Sequence, residues 1–256
     1  MKTLIKFIGI GLIVIMGSCK DDKQSSGTSY MNLRMTDAPG NFTAVNIDLK
    51  AVEVTGGGSD AVSINVTPGI YNLIDLSNGK TVLIATAALE PGRLEQIRLI
   101  LGDNNSVTVD GNTYPLSTPS AQQSGLKLQV HKDLAAGVTY NMLLDFDANE
   151  SIVQQGNGSY SLKPVVRVVD FAASGSVKGL VIPEGPIVKV AATSKGMTYT
   201  TNTNAKGEFK LVGIPEGTYT VVFYPPDPLI TISRRDVVVK TGEVTDIGTV
   251  NLSGGS

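Results

Sequence analysis

The sequence predicts an all-β protein of two β-sandwich domains, and three observations carry this prediction. Gly, Thr, Val, Asn and Ser are abundant, whereas long runs of the strongest helix formers are missing. From Met31 onward, alternating apolar and polar runs are separated by turn residues roughly every eight to twelve positions. The length of 256 residues suits two ordinary domains. No segment keeps a helical apolar period over three turns, so helix is expected to be minor.

Each predicted strand of the first domain places its apolar side chains on one face. The apolar sets are Val45-Ile47-Leu49, Ile97-Leu99-Leu101, Val107-Val109, Leu126-Leu128-Val130, Val138-Tyr140-Met142-Leu144-Phe146 and Val166-Val168. After Leu49 the apolar positions change parity, which predicts a β-bulge or a break at Lys50-Ala51. Asp110-Gly111 predicts a hairpin turn, and residues 86–89 are expected to form a short helical turn.

A cluster of small residues at positions 172–176 predicts the boundary between the domains. We therefore expect one β-sandwich over residues 30–173 and a second over residues 174–256. The strand-like segments of the second domain are residues 187–191, 197–203, 208–212, 218–224, 236–240 and 247–252. So many short strands in one segment predict a small sandwich.

The first eighteen residues have the pattern of a signal peptide. Lys2 and Lys6 accompany an apolar run over residues 7–16, and Gly17-Ser18 precede Cys19, the chain's only cysteine. The apolar run is well short of the roughly 20 residues that span a bilayer. Small residues before a lone cysteine resemble the lipobox of bacterial lipoproteins, although position 16 is Met where that pattern usually has Leu. The resemblance implies a signal peptide over residues 1–18 and lipid attachment at Cys19, with a plain secretory signal as the alternative.

Residues 19–29 are polar and are predicted to form a flexible tether. Lys20-Asp21-Asp22 resembles the short signal that sends some lipoproteins to the outer face of the outer membrane. This implies a lipid-anchored outer-membrane protein exposed on the cell surface, with the membrane as a partner through lipidated Cys19. The net charge is -2 and the charged residues are spread along the chain, so no nucleic-acid partner is indicated.

The second domain carries a recurring set of turn residues. Gly179 opens it, Thr203-Asn204-x-x-Gly207-x-Phe209 follows, and Gly213-Ile214-Pro215-x-Gly217-x-Tyr219 comes next. These motifs resemble the carboxypeptidase-regulatory-like family over roughly residues 174–253. The resemblance implies a transthyretin-like (prealbumin-like) or starch-binding-like sandwich that serves as a non-catalytic accessory module.

The first domain resembles a lipoprotein domain family of unassigned function. The matching segments are Thr36-Asp37-Ala38-Pro39-Gly40, Gln96-Ile97-Arg98-Leu99, residues 116–128 and Leu162-Lys163-Pro164-Val165 with Arg167. Because no chemistry is assigned to that family, the resemblance implies architecture and location only.

Candidate catalytic and metal-binding residues are few. His131 is the only histidine and lies on the polar parity of its strand, so an exposed strand histidine is the favoured interpretation. Asp145 and Asp147 could hold a cation at a strand end, and Asp103-Asn104-Asn105 forms a second acidic loop, but the spacing fails the EF-hand pattern. Gly56-Gly57-Gly58 lacks the Lys-Ser/Thr of a phosphate loop. We therefore predict no catalytic site, no metal and no cofactor.

Two tyrosines are the candidate ligand contacts. Sugar-binding surfaces stack pyranose rings on aromatic side chains, and the chain has no Trp. Tyr199 and Tyr224 could supply such a platform, with core packing or loop packing as the alternative.

The predicted function is that of a non-enzymatic, lipid-anchored cell-envelope protein. It either binds an extracellular ligand, for which carbohydrate is the favoured class, or scaffolds an envelope complex with a protein partner. A pilin-like or adhesive structural subunit is the main alternative, since some pilins are two-domain lipoproteins joined by donated strands. A hydrolase that uses His131 or acidic residues is the third hypothesis.

Overall fold

The structure is a computed structural model that describes residues 27–38, 42–56, 61–118 and 124–253. Within these residues the fold is all-β and built from sandwiches, which confirms the predicted fold class. The predicted signal peptide, Cys19 and residues 20–26 of the predicted tether lie outside the described residues, and the first strand begins at Ser29. No helix in the described segments is long and apolar enough to cross a membrane.

The N-terminal sandwich contains short strands joined by tight turns. Its strands are β1 Ser29–Ala38, β2 Ala44–Gly56, β3 Val62–Ser63, β4 Asn65–Val66, β5 Gly69–Asn72, β6 Val82–Leu89, β7 Gly92–Leu101, β8 Ser106–Val109, β9 Asn112–Ser117, β10 Leu126–Leu134, β11 Thr139–Asp147, β12 Ile152–Gln154, β13 Tyr160–Leu162 and β14 Val166–Asp170. A one-turn helix, α1 (Ala148–Ser151), and two short 3-10 turns, Leu73–Leu76 and Phe171–Ala173, complete it.

Two sheets face each other in this sandwich. Sheet 1 has the order β14-β11-β1-β6-β4, and sheet 2 has the order β10-β7-β2-β8-β9-β13-β12, with β3 and β5 beside β2. Strand β1 pairs in parallel with β11 and antiparallel with β6, so it lies in the middle of sheet 1. Buried side chains of both sheets form one hydrophobic core, which includes Met31, Leu33, Ile47, Leu99 and Phe146.

The C-terminal sandwich is smaller and has its own core. Its strands are β15 Ser174–Ile182, β16 Lys189–Ser194, β17 Met197–Asn202, β18 Glu208–Pro215, β19 Gly217–Tyr224, β20 Ile232–Val239 and β21 Val244–Asn251. Sheet 3 has the order β18-β15-β21, and sheet 4 has the order β17-β16-β19-β20. Phe209 and Phe223 pack edge to face in its core, with ring centroids 5.5 Å apart. The domain limits predicted from the sequence stay a prediction.

Two local predictions are confirmed. The register between β2 and β7 shifts between Leu49 and Ala51, which is the bulge expected from the change of parity. Asp110 and Gly111 join β8 to β9 with φ values of 48° and 76°, the left-handed conformations of a type I′ hairpin turn.

The short helical turn predicted over residues 86–89 is wrong. These residues belong to β6, where Thr86 pairs with Asn32 of β1 on one side and with Asn65 of β4 on the other. Pairing with two neighbouring strands outweighs the weak local preference of an Ala-rich segment for helix.

Candidate functional site

The outer face of sheet 1 is the surface on which the two sandwiches meet. Met31, Leu33 and Met35 point from β1 into the core, and because side chains alternate along a strand, Asn32 and Arg34 point outward. Part of this outer face is covered by the C-terminal sandwich, and the remainder is open.

Arg167 is the centre of the covered part. Its guanidinium pairs with Asp145 on the neighbouring strand β11. It also donates a hydrogen bond of 2.5 Å to the backbone oxygen of Thr198 and lies 4.5 Å from the ring centroid of Tyr199. Since Thr198 and Tyr199 belong to β17, this single side chain contacts both sandwiches.

Burial determines the electrostatics of this junction. Asp145 is 8% exposed, and burial raises the pKa of its carboxyl group, while the charge and hydrogen bond of Arg167 oppose that shift. Burial also raises the pKa of the Tyr199 hydroxyl. The junction therefore holds a shielded ion pair, and separating the partners would leave a buried carboxylate without a counter-charge.

Two further contacts join the sandwiches. The side-chain oxygen of Asn78 accepts a hydrogen bond from the backbone N–H of Lys210 over 2.5 Å, and its Nδ2 donates to the backbone oxygen of Glu208 over 3.2 Å. A Cβ atom on Gly213 would lie 3.1 Å from the side chain of Leu143, so the β18 backbone packs closely against sheet 1. These contacts fix the position of the C-terminal sandwich on the outer face.

A groove of about 490 Å³ lies beside the junction. Its lining is mainly apolar and includes Arg167, Asp170, Met197, Tyr199 and Pro215. Its charged groups are already paired, because Arg167 contacts Asp145 and Asp170 contacts Lys132 over 2.8 Å. The groove therefore offers a ligand mostly apolar contact.

The open part of the outer face carries polar and aromatic side chains from four strands. We call it the open face and define it by Tyr30, Asn32, Arg34, Asn65, Thr86 and Asn141. The register places Asn141, Asn32, Thr86 and Asn65 side by side across β11, β1, β6 and β4. On β1, Tyr30 and Arg34 flank this polar row at two residues to either side, and Tyr30 is 51% exposed.

Few polar side-chain atoms of the open face take part in hydrogen bonds within the described residues. Asn32 Nδ2 donates to Asn141 Oδ1 over 3.0 Å, and Arg34 donates to the hydroxyl of Thr81 over 3.0 Å. Within the described residues, the side chains of Asn65 and Thr86 make no hydrogen bond. An exposed ring beside a row of amide and hydroxyl groups can therefore contact a ligand that has both an apolar face and hydroxyl groups.

The two tyrosines predicted as ligand contacts lie apart from each other. Tyr199 is 5% exposed and packs edge to face with Tyr219 in the C-terminal core, with ring centroids 6.0 Å apart. Tyr224 is 49% exposed at the end of β19, opposite Lys189 of β16. The structure does not bring them together on one platform, and the role of each as a ligand contact stays a prediction.

The other residues considered from the sequence form contacts within the fold. His131 is exposed, as predicted. It lies at a bulge in β10, with its Nδ1 2.5 Å from Oε2 of Glu95. Asp147 accepts a backbone hydrogen bond at the start of α1, and Asn104 donates to the buried carboxylate of Asp48. Among the described residues, no group of three or more His, Cys, Asp or Glu side chains is placed to hold a metal ion.

The open face is not among the sites predicted from the sequence. Tyr30, Asn32 and Arg34 alternate with the apolar residues of β1, and this alternation is a signal that could have placed them on one outer face. The residues of β4, β6 and β11 that lie beside them can be identified only from the strand order. Asn32 and Asn141, for example, are 109 positions apart in the sequence.

Two family models match the chain. One, described as a domain of unknown function (DUF4382), matches residues 28–164, which is more than half of the chain. The other, described as polysaccharide lyase family 4, domain II, matches residues 173–247, so the C-terminal match is to a different family from the carboxypeptidase-regulatory-like one that its motifs resemble. No curated protein matches the chain.

Several solved structures are similar at low identity. They include the Bacillus anthracis TIE protein, with 10% identity and a TM-score of 0.25 over 87% of this chain and 34% of that one. A minor pilin of Streptococcus agalactiae has 6% identity and a TM-score of 0.27 over 88% and 98%. A family CBM26 module from Eubacterium rectale, solved with maltoheptaose, has 12% identity and a TM-score of 0.20 over 89% and 94%. The chain spans about a third of the TIE protein's length, and likeness at this level carries no argument about function.

Proposed function

The chain belongs to the DUF4382 family, whose function is unknown, and from this premise we propose that it is a non-enzymatic, lipid-anchored cell-envelope protein that binds carbohydrate on its open face. The proposal depends on one observation: an exposed aromatic ring, Tyr30, adjoins a row of four amide and hydroxyl side chains on a sheet surface.

This combination matches the chemistry of a sugar. A pyranose has an apolar C–H face that stacks on an aromatic ring, and its hydroxyl groups need donors and acceptors at the ring's edge. Amides supply both, since each has an oxygen acceptor and two N–H donors. The Asn32–Asn141 hydrogen bond leaves the oxygen and the second amide N–H of Asn32, and both amide N–H groups of Asn141, without a partner among the described residues.

The C-terminal sandwich supports the proposal in two ways. First, the family model that matches it is described as domain II of polysaccharide lyase family 4. Second, its contacts through Arg167 and Asn78 hold it against sheet 1, so that the open face is a preformed surface. The carboxypeptidase-regulatory-like interpretation, a non-catalytic accessory module, is part of the same proposal.

The location is also a proposal. Lipidation of Cys19 would anchor the chain to the outer membrane, with the sandwiches on the cell surface. Cys19 and Ser29 are ten positions apart, so the tether reaches at most about 35 Å when fully extended.

A glycan array probed with the purified mature chain tests the proposal. We expect signal on at least one polysaccharide class, and we expect Tyr30→Ala to weaken that binding about tenfold because the stacking surface is lost. Tyr224→Ala is the matched comparison, since both tyrosines are about half exposed and Tyr224 is the rival candidate contact. Absence of signal on every polysaccharide, or equal loss in both variants, would refute binding at the open face.

A pilin-like structural subunit is the second candidate, and the position of β1 favours it. Strand β1 follows the tether and lies between β6 and β11, so its removal would open a strand-shaped gap in sheet 1 that another copy could fill. Arg34 lies within β1 and is the nearby basic residue for such a cut. Trypsin-like cleavage at Arg34 followed by filament formation would favour this candidate, and a persistent monomer would count against it.

A further inference from the structure

We propose that the carbohydrate bound on the open face is an acidic polysaccharide containing uronic acid, and that Arg34 contacts the sugar carboxylate. This inference rests on the proposed function, because it assigns the ligand class and a specificity residue of the same surface. It is carried by the position of Arg34 and by the charges around it.

Arg34 has no acidic partner among the described residues. Its guanidinium donates to the neutral hydroxyl of Thr81, and it takes part in no ion pair within the described segments. Lys80, the residue before Thr81, is exposed and likewise forms no ion pair there. A guanidinium held by one hydrogen bond keeps N–H donors free, and its planar fork suits the two oxygens of a carboxylate.

The carboxyl groups that follow on β1 and on the neighbouring strand β11 do not offset this charge. Asp145, on the same outer face, is paired with Arg167. Asp37 is 4% exposed, and burial raises its pKa to about 9, with the neighbouring Asp145 and Asp147 contributing, so it is protonated and neutral at pH 7. Arg34 therefore presents an uncompensated positive charge at one end of the open face.

The spacing along β1 indicates a polymer. Tyr30 and Arg34 are four residues apart on one strand, which corresponds to about 13 Å at the rise of a β-strand. That distance exceeds the width of one pyranose ring, so a ligand that stacks on Tyr30 and reaches Arg34 must contain several sugar units. The amide row lies between these two ends.

Affinity electrophoresis with polygalacturonate and with its methyl ester tests the inference, since the two polymers differ in charge and share one backbone. We expect the wild-type chain to be retarded by polygalacturonate, and to bind the methyl ester at least about tenfold more weakly, because a charge-assisted hydrogen bond is lost. Arg34→Gln should bind polygalacturonate about tenfold more weakly than the wild type does, and it should bind the methyl ester as well as the wild type does. Arg34→Lys should fall between, because it keeps the charge and loses the fork.

Arg93→Gln is the control variant, because Arg93 is an exposed arginine on sheet 2 and should leave binding unchanged. Equal binding of both polymers, or an Arg34→Gln variant that binds polygalacturonate like the wild type, would overturn the acidic-ligand inference and leave carbohydrate binding in place. A wild-type chain that binds a neutral glycan on the array but neither polymer would also overturn the acidic-ligand inference and leave carbohydrate binding in place. Failure to bind any glycan would overturn the proposed function itself.

Discussion

Lys210 donates its backbone N–H to the side-chain oxygen of Asn78, and the side-chain nitrogen of Asn78 donates to the backbone carbonyl of Glu208. Glu208 and Lys210 are two residues apart on β18, an edge strand of sheet 3. The primary amide of Asn78 therefore bonds to this edge as a neighbouring strand would. It pairs the backbone N–H of Lys210 and adds a second donor to the Glu208 carbonyl, which also accepts a hydrogen bond from the backbone N–H of Asn204. Asn78 adopts a φ of 57°, a conformation that Asn tolerates better than most residues.

Removing this amide should loosen the contact between the two sandwiches. We expect Asn78→Ala to lower the free energy of unfolding by about 1–3 kcal/mol, because the backbone N–H of Lys210 loses its partner and the Glu208 carbonyl loses one of its two donors. Urea unfolding monitored by far-UV circular dichroism measures the change. Asn112→Ala, in an exposed hairpin, is the control and should cost little. Equal stabilities of the two variants would mean that the Asn78 bonds do not stabilise the junction.

Arg167 should be coupled energetically to Asp145. Arg167→Met leaves a carboxylate that is 8% exposed without its counter-charge, and we expect a loss of about 3 kcal/mol in the free energy of unfolding. Adding Asp145→Asn should restore part of that loss, since a neutral amide needs no counter-charge. A double-mutant cycle measures the coupling, and strictly additive effects would show that the ion pair contributes nothing.

Asp37 should make stability depend on pH in an unusual direction. Burial raises its pKa from 3.8 to about 9, so between these values the folded state binds more protons than the unfolded state. The stabilisation that comes from this proton on Asp37 is fully present below pH 3.8 and is lost as the pH rises toward 9.

The variant Asp37→Asn cannot ionise and should remove this slope. Its side-chain oxygen can still accept the 3.0 Å hydrogen bond from the backbone N–H of Ala148. We expect it to be more stable than the wild type at pH 7, by at most about 4 kcal/mol at 1.36 kcal/mol per pH unit. Thermal unfolding across pH 5 to 9 measures the difference, and Asp110→Asn in an exposed turn is the control. A difference that is constant over that range would contradict the raised pKa.

Lipid attachment has a direct test at Cys19. We expect radiolabelled palmitate to enter the full-length chain in a Gram-negative host and Cys19→Ser to abolish incorporation, because the thiol is the only one in the sequence. The serine variant should also leave the membrane fraction. Label that persists in Cys19→Ser, or a wild-type chain that takes up none, would remove the proposed anchor.

Local patterns predicted much of the fold because strands record their environment in side-chain alternation. The change of parity after Leu49 located the bulge, and Asp110-Gly111 located a hairpin. The helical turn predicted over residues 86–89 is wrong because the sequence does not show that β6 lies between two partner strands. Strand order is a long-range property, and it decides such ambiguous segments.

The candidate site was less predictable for the same reason. The sequence shows Tyr199 only as a candidate aromatic contact, because the Arg167 guanidinium that lies over its ring comes from the other sandwich. The polar row of the open face needs the register of four strands, and Thr86 or Asn65 alone carries no sign of function. Only the alternation of Tyr30, Asn32 and Arg34 was visible locally.

Backbone amide NMR of the mature chain tests binding at the open face most directly. On titration with an oligosaccharide of the polymer that gives the strongest array signal, we expect shifts at residues 30–34 of β1 and at Thr86 and Asn141, its cross-strand neighbours. Shifts confined to the surroundings of Tyr224 or to the groove around Met197, with β1 unchanged, would contradict this account.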